Sequence, residues 1–353
     1  MNRLSKYRTE LYGFSILWIM IFHGNAICDV VYFHRFPVLK VVDRLIGWGN
    51  MGVEVFILLA GIGAYYSFTA NSDILSFYKK RAKRIYLPIM LICWPYWIWQ
   101  LATGAINVKK FLMDISLMKF WITGDQQIWF VSAIVVFYLL YPLIHKLFSW
   151  RGFWVEENSD GAAAGIRKFS RLIELLVIIF MFIFCVYKFL PNYYKLVEIG
   201  LNRLPIFVLG VWLGPIVRNN SDQKLESIPF LFLITLFGFY LLWIKETKGI
   251  YKRQLYELMG TPLTIILALI ADKAGKIIKA IFRFFGQMSL ECYLAHIIII
   301  RLNKAGFFFP YSAGGAKKYL ILMCISIAVA YAAFLIQKLL KHSNPAAGSA
   351  VKA

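Results

Sequence analysis

Acidic residues are scarce: 18 Asp and Glu stand against 39 Lys and Arg in 353 residues, and charged side chains make up only 16% of the chain. A soluble domain carries about 25% charged and about 45–50% apolar residues. Here 60% are hydrophobic, which leaves too little polar surface to cover the chain in water. Cysteine is sparse as well. Cys28, Cys93, Cys185, Cys292 and Cys324 each lie in or at the end of an apolar stretch, with no C-x-x-C pair. That argues against a structural zinc site or a disulfide framework, and the five read as small core residues. Internal repeats are missing, which weighs against an inverted-repeat transporter. The apolar runs lack the alternation of a β-barrel. The net charge of +21 does not imply a nucleic-acid partner, because the cations sit in short runs between apolar blocks. Loops held at anionic lipid headgroups have that pattern.

What is present is a series of long apolar runs. A helix needs about 20 residues to cross the hydrocarbon core. About ten runs approach that length, at 11–28, 50–70, 85–103, 128–148, 172–190, 203–217, 228–244, 255–271, 284–302 and 319–340. The fold class expected is all-α, a polytopic helical bundle in the lipid bilayer, with residues 1–342 as one membrane domain and 343–353 as a flexible tail. The sixth and eighth runs carry Pro205 and Pro262 and are expected to be kinked, tilted or partly re-entrant. Arg3, Lys6 and Arg8 ahead of the first run resemble a signal peptide, but no clean small-x-small site follows, so a retained helix is expected. The run Lys79-Lys80-Arg81-Ala82-Lys83-Arg84 has no rival on the other side, which puts both termini in the cytosol. The 154–170 segment reads as a solvated, mobile loop.

Ionisable side chains inside a span are costly and point to function or to a specific partner. His23, Glu54, Glu291 and His296 are the notable ones. At about 1.5 Å per residue, His23, Glu54 and His296 fall at one depth near the outer surface. A histidine tuned by a carboxylate would serve as a general base; the plainer reading is a hydrogen bond to a neighbouring helix. Arg81 and Arg84 are spaced i, i+3, which would turn both guanidinium groups to one face and suit a phosphate, with membrane anchoring as the alternative. Gly61-Ile62-Gly63 lacks the third glycine and the preceding strand of a dinucleotide loop and reads as close helix packing. Trp94, Tyr96, Trp97 and Trp99 belong to the interfacial belt or flank a sugar or acyl path.

Several segments, taken in order, resemble the acyltransferase family 3 membrane proteins. These are Leu11 to His23, Gly52-Val53-Glu54 to Gly61, Phe77 to Pro88 with Arg81 and Arg84, and Trp129-Phe130-Val131-Ser132 with Tyr138 and Pro142. Arg203 to Gly210 and Phe285-Gly286 to Tyr293 and His296 complete the series. The resemblance implies about ten spans and transfer of an acetyl group from cytosolic acetyl-CoA to a sugar hydroxyl of a cell-envelope or exported polysaccharide, or of a lipid-linked glycan. It implies a plasma or inner-membrane location, His23 as the catalytic histidine, and Arg81 and Arg84 as acyl-CoA contacts. Glu54 and His296 join the catalytic set from their shared depth. The basic residue usual eleven positions before the helix-1 histidine is Tyr12 here, and Arg8, one turn back, is the candidate replacement. A transporter or flippase for a small or lipid-linked substrate is the alternative.

Overall fold

The computed structural model describes residues 2–28, 40–150, 162–218, 250–309 and 315–342. The expected run 228–244 and the tail 343–353 lie outside them. The described residues are helical, without strands. In chain order the helices are α1 (Asn2–Lys6), α2 (Arg8–Cys28), α3 (Lys40–Gly47), α4 (Gly52–Ala70), α5 (Ile74–Ala102), α6 (Val108–Ile115), α7 (Lys119–Thr123) and α8 (Trp129–Trp150). They continue as α9 (Ala162–Phe189), α10 (Pro191–Leu201), α11 (Leu204–Arg218), α12 (Ile250–Lys273), α13 (Lys276–Gln287), α14 (Ser289–Lys304) and α15 (Ala316–His342).

Six helical stretches among the described residues are long and apolar enough to cross a membrane: Gly49–Ala70, Ile74–Ala102, Trp129–Ser149, Phe169–Phe189, Pro191–Arg218 and Ala316–Lys341. Large apolar side chains stand exposed along two of them, including Val177, Ile178, Phe182 and Phe184 on α9 and Leu320, Ile321 and Leu339 on α15. An apolar surface on that scale is tolerated in lipid and not in water. The runs expected at 11–28 and 255–271 fall on α2 and α12, outside those six.

Local sequence sets the helix ends. Asp73 Oδ2 accepts from the Ser76 amide at 2.8 Å and opens α5, and Asn107 caps α6 by accepting from the Lys110 amide. These are the short polar side chains that satisfy orphan amides at helix starts. Gly124, with φ of 73°, closes α7 in a left-handed conformation suited to glycine.

Three expectations about segments change. The loop expected at 154–170 is helical from Ala162, where a run of alanines favours helix. The sixth run, 203–217, is the unbroken helix α11, which meets α10 at Asn202-Arg203 so that the two form one apolar stretch, with Pro205 tolerated in the first turn of α11. The run 284–302 divides at Met288 into α13 and α14, just beyond Gly286, a weak helix former.

The chain packs as two compact units. One holds Met1–Leu11, Val53–Arg81 and Met118–Gly275; the other holds Tyr12–Gly52, Ala82–Leu117 and Lys276–Ala353. In the first, α4 and α11 touch backbone to backbone. A Cβ at Gly61 would stand 2.3 Å from the Phe207 carbonyl oxygen, and one at Gly210 would stand 2.2 Å from that of Leu58. In the second, a Cβ at Gly13 of α2 would stand 1.8 Å from the Phe282 carbonyl oxygen of α13.

Candidate functional site

In the second unit, α2 presents His23 and α14 presents His296. Their rings stack with centroids 5.0 Å apart and planes 21° apart, and His23 Nδ1 lies 2.7 Å from His296 Nε2. His296 is buried and its Nδ1 lies 2.8 Å from the carbonyl oxygen of Cys292, one turn earlier in α14. A carbonyl only accepts, so Nδ1 of His296 carries the hydrogen. In neutral His296 the lone pair then belongs to Nε2, which accepts the hydrogen on Nδ1 of His23. His23 Nε2 is therefore the basic nitrogen of the pair. His23 also keeps part of its surface accessible, whereas His296 does not.

Two further contacts brace this pair. Tyr319 of α15 donates its hydroxyl hydrogen to the carbonyl of Met20, one turn ahead of His23. Tyr319 also belongs to a buried cluster with Ile299, Ile300 and Leu322, which fixes α14 just beyond His296. Glu291, on the same helix as His296, accepts from Gln337 Nε2 at 2.8 Å in a buried contact. Arg84 is exposed and within electrostatic reach of Glu291.

Glu54 belongs to the first unit, where its carboxylate pairs with Arg203 at 2.9 Å, both side chains almost fully buried. Arg203 Nη1 donates to the Ile199 carbonyl at 2.6 Å, and its guanidinium lies 4.7 Å from the Trp129 ring centre. Of the three groups expected at one depth, the structure brings His23 and His296 together and gives Glu54 a cation at the junction of α10 and α11. Sequence reasoning placed Arg203 inside a matching segment without pairing it with Glu54. The signal was available, because an arginine amid apolar residues requires a partner. Nothing in the sequence marked Tyr319.

Further arginines of the first unit meet α4. Arg81 is buried, donating from Nη2 to the Gly63 carbonyl and from Nη1 to Tyr138 Oη at 3.4 Å, with its guanidinium 4.7 Å from the Tyr138 ring centre. A Cβ at Gly63 would stand 2.7 Å from Arg8 Nη2, so the missing side chain is what lets that guanidinium lie against the helix. Arg218 donates to Thr69 Oγ1 at 2.8 Å, and Tyr66 sits within electrostatic reach of both Arg8 and Arg218. Arg81 is buried and Arg84 exposed, and the two belong to different units. Gly61 and Gly63 thus serve close approach, of a helix in one case and of a cation in the other.

A family model described as an acyltransferase domain matches residues 12–335. The chain is 22% identical over 294 residues to a protein of Acidianus two-tailed virus named "Putative acetyltransferase ORF330", covering 79% of this chain and 82% of that one. No solved structure matches. With the family model spanning nearly the whole chain and apolar helices suited to a bilayer, the protein belongs to acyltransferase family 3 and is a membrane acyltransferase.

Proposed function

We propose that this acyltransferase moves an acetyl group from cytosolic acetyl-CoA to a sugar hydroxyl of a cell-envelope polysaccharide or lipid-linked glycan, in a plasma or inner membrane crossed about ten times with both termini in the cytosol. The observation that carries the reading is the hydrogen-bonded line from the Cys292 carbonyl through His296 to His23. It leaves an oriented basic nitrogen on the accessible member of the pair.

His23 Nε2 takes the proton of the acceptor hydroxyl as its oxygen attacks the thioester carbon. The new C–O bond forms, the C–S bond breaks, and the leaving thiolate receives that proton back from His23. An ester and the free thiol result, with no other reactant. During the transfer His296 stabilises imidazolium His23 by accepting from Nδ1. Both facing nitrogens, 2.7 Å apart, cannot hold hydrogens at once, so the pair stores one proton. Glu54, with Arg203, positions α4 against the junction of α10 and α11. Arg8 and Arg81 supply positive charge for the phosphates of the donor.

Purified protein in vesicles is given acetyl-CoA labelled in the acetyl group, together with envelope glycan. Label bound covalently to the glycan, and lost in His23→Gln, supports the reading. Solute movement without covalent label would instead identify a carrier.

A further inference from the structure

Helix α13, Lys-Ile-Ile-Lys-Ala-Ile-Phe-Arg-Phe-Phe-Gly-Gln, has no acidic residue and separates its side chains by face. At about 100° per residue, Lys276, Lys279, Arg283 and Gln287 occupy one arc, and Ile277, Ile281 and Phe284 occupy the next. A third arc is taken by the protein. Phe282 meets Phe14 of α2 edge to face at 5.8 Å, and Gly286 is buried. The middle arc is largely uncovered: Ile277 is 77% exposed and Ile281 is exposed, while Phe284 meets the Tyr331 ring of α15 at 5.7 Å and keeps 43% of its surface exposed. So two isoleucines and part of a phenylalanine stand open beside a row of cations, on a helix packed against α2 through Phe282.

A helix with that division lies in the membrane plane, its apolar arc in the acyl boundary and its cations at the headgroups. We propose that α13 is an in-plane helix that binds anionic phospholipid, with Lys276, Lys279 and Arg283 meeting headgroup phosphates and Ile277, Ile281 and Phe284 entering the acyl region. Charge complementarity selects the occupant. Three cations without a carboxylate in the helix favour an anionic lipid over a zwitterionic one, whose own ammonium group competes.

The test places the full-length protein in nanodiscs of phosphatidylcholine alone or with a third phosphatidylglycerol, and follows amide exchange of residues 276–287. The anionic lipid should slow that exchange by roughly an order of magnitude, while K276Q/K279Q/R283Q should erase the difference and leave exchange across Ser289–Lys304 unchanged. Should the triple variant not fold, Lys276→Gln alone should remove part of the gain. Equal exchange of the wild type in the two lipids overturns the proposal. So does a gain that survives the substitutions, or one that inorganic phosphate reproduces in phosphatidylcholine discs, which would make the site one for soluble anions.

Discussion

Tyr319 and Met20 are joined by a hydrogen bond from a phenol hydroxyl to a main-chain carbonyl, linking α15 to the turn of α2 just before His23. The contact holds the base through its backbone and touches no reacting atom. Tyr319→Phe keeps the ring in its cluster and deletes only the donor. We expect kcat to fall while KM for the donor and the melting temperature stay near wild type. A change in KM alone would argue that Tyr319 acts elsewhere.

Removing His23 itself should cost about 10²–10⁴-fold in kcat, the range of general acid–base catalysis. His296→Ala should cost less, because His23 remains but loses its orienting acceptor. Since the pair stores one proton, wild-type kcat should rise with pH along a limb of unit slope. A limb steeper than one would show that both rings titrate.

Breaking the buried Glu54–Arg203 pair strands a charge. Loss of one partner from such a pair costs about 3–5 kcal/mol. Glu54→Gln should therefore destabilise the protein markedly, and Glu54→Gln/Arg203→Met should recover much of the loss. The pH–rate profile of any active Glu54→Gln protein should match wild type. A displaced profile would return Glu54 to the proton chemistry.

Outside the spans, the Asp272 carboxyl is held below the usual carboxylate range, first by the Tyr7 hydroxyl at 2.6 Å and then by Arg3 at 2.8 Å, with Lys6 nearby. A depressed carboxyl favours the folded contact above its unfolded pKa, and that support is lost as pH falls through the folded value. Exchange of α1 amides should speed up as pH drops through that range once corrected for intrinsic rates. Asp272→Asn should show the fast exchange at every pH.

Gly13→Ala would press a methyl against the Phe282 carbonyl, which cannot move without displacing α13 from α2. A loss of about 1–3 kcal/mol is expected for such overpacking, read as a lowered melting temperature. Gly47→Ala, where nothing stands within 4 Å, is the control and should leave stability unchanged.

The all-helical fold was legible because spans and loops differ so sharply in apolarity, and His23 and His296 could be paired by depth alone. Depth is one coordinate, however, and it placed Glu54 with them equally well. The direction in which Glu54 points depends on rotation about α4, fixed by glycine contacts such as Gly61 with Phe207 and Gly210 with Leu58, which hydropathy does not report. The arginines show the same gap. Three residues of separation set an angle between Arg81 and Arg84, but only packing decides that one is enclosed by Tyr138 and Gly63. The break at Met288 was hidden because the amphipathic helix before it is almost as rich in apolar residues as a span.

The hydrogen-bonded line that orients His23 begins at a main-chain oxygen, and the thiol of Cys292 takes no part in it. Replacing Cys292 with alanine leaves that oxygen where it is, so the side chain there is open to drift as long as its small volume is respected. What cannot drift is the count of residues between that carbonyl and the ring. One residue inserted into the turn from 292 to 296 rotates His296 by about 100° and turns it away from His23. The specification of the basic nitrogen of the pair thus resides in helical phase, which a deletion or insertion erases and which substitution at position 292 leaves untouched.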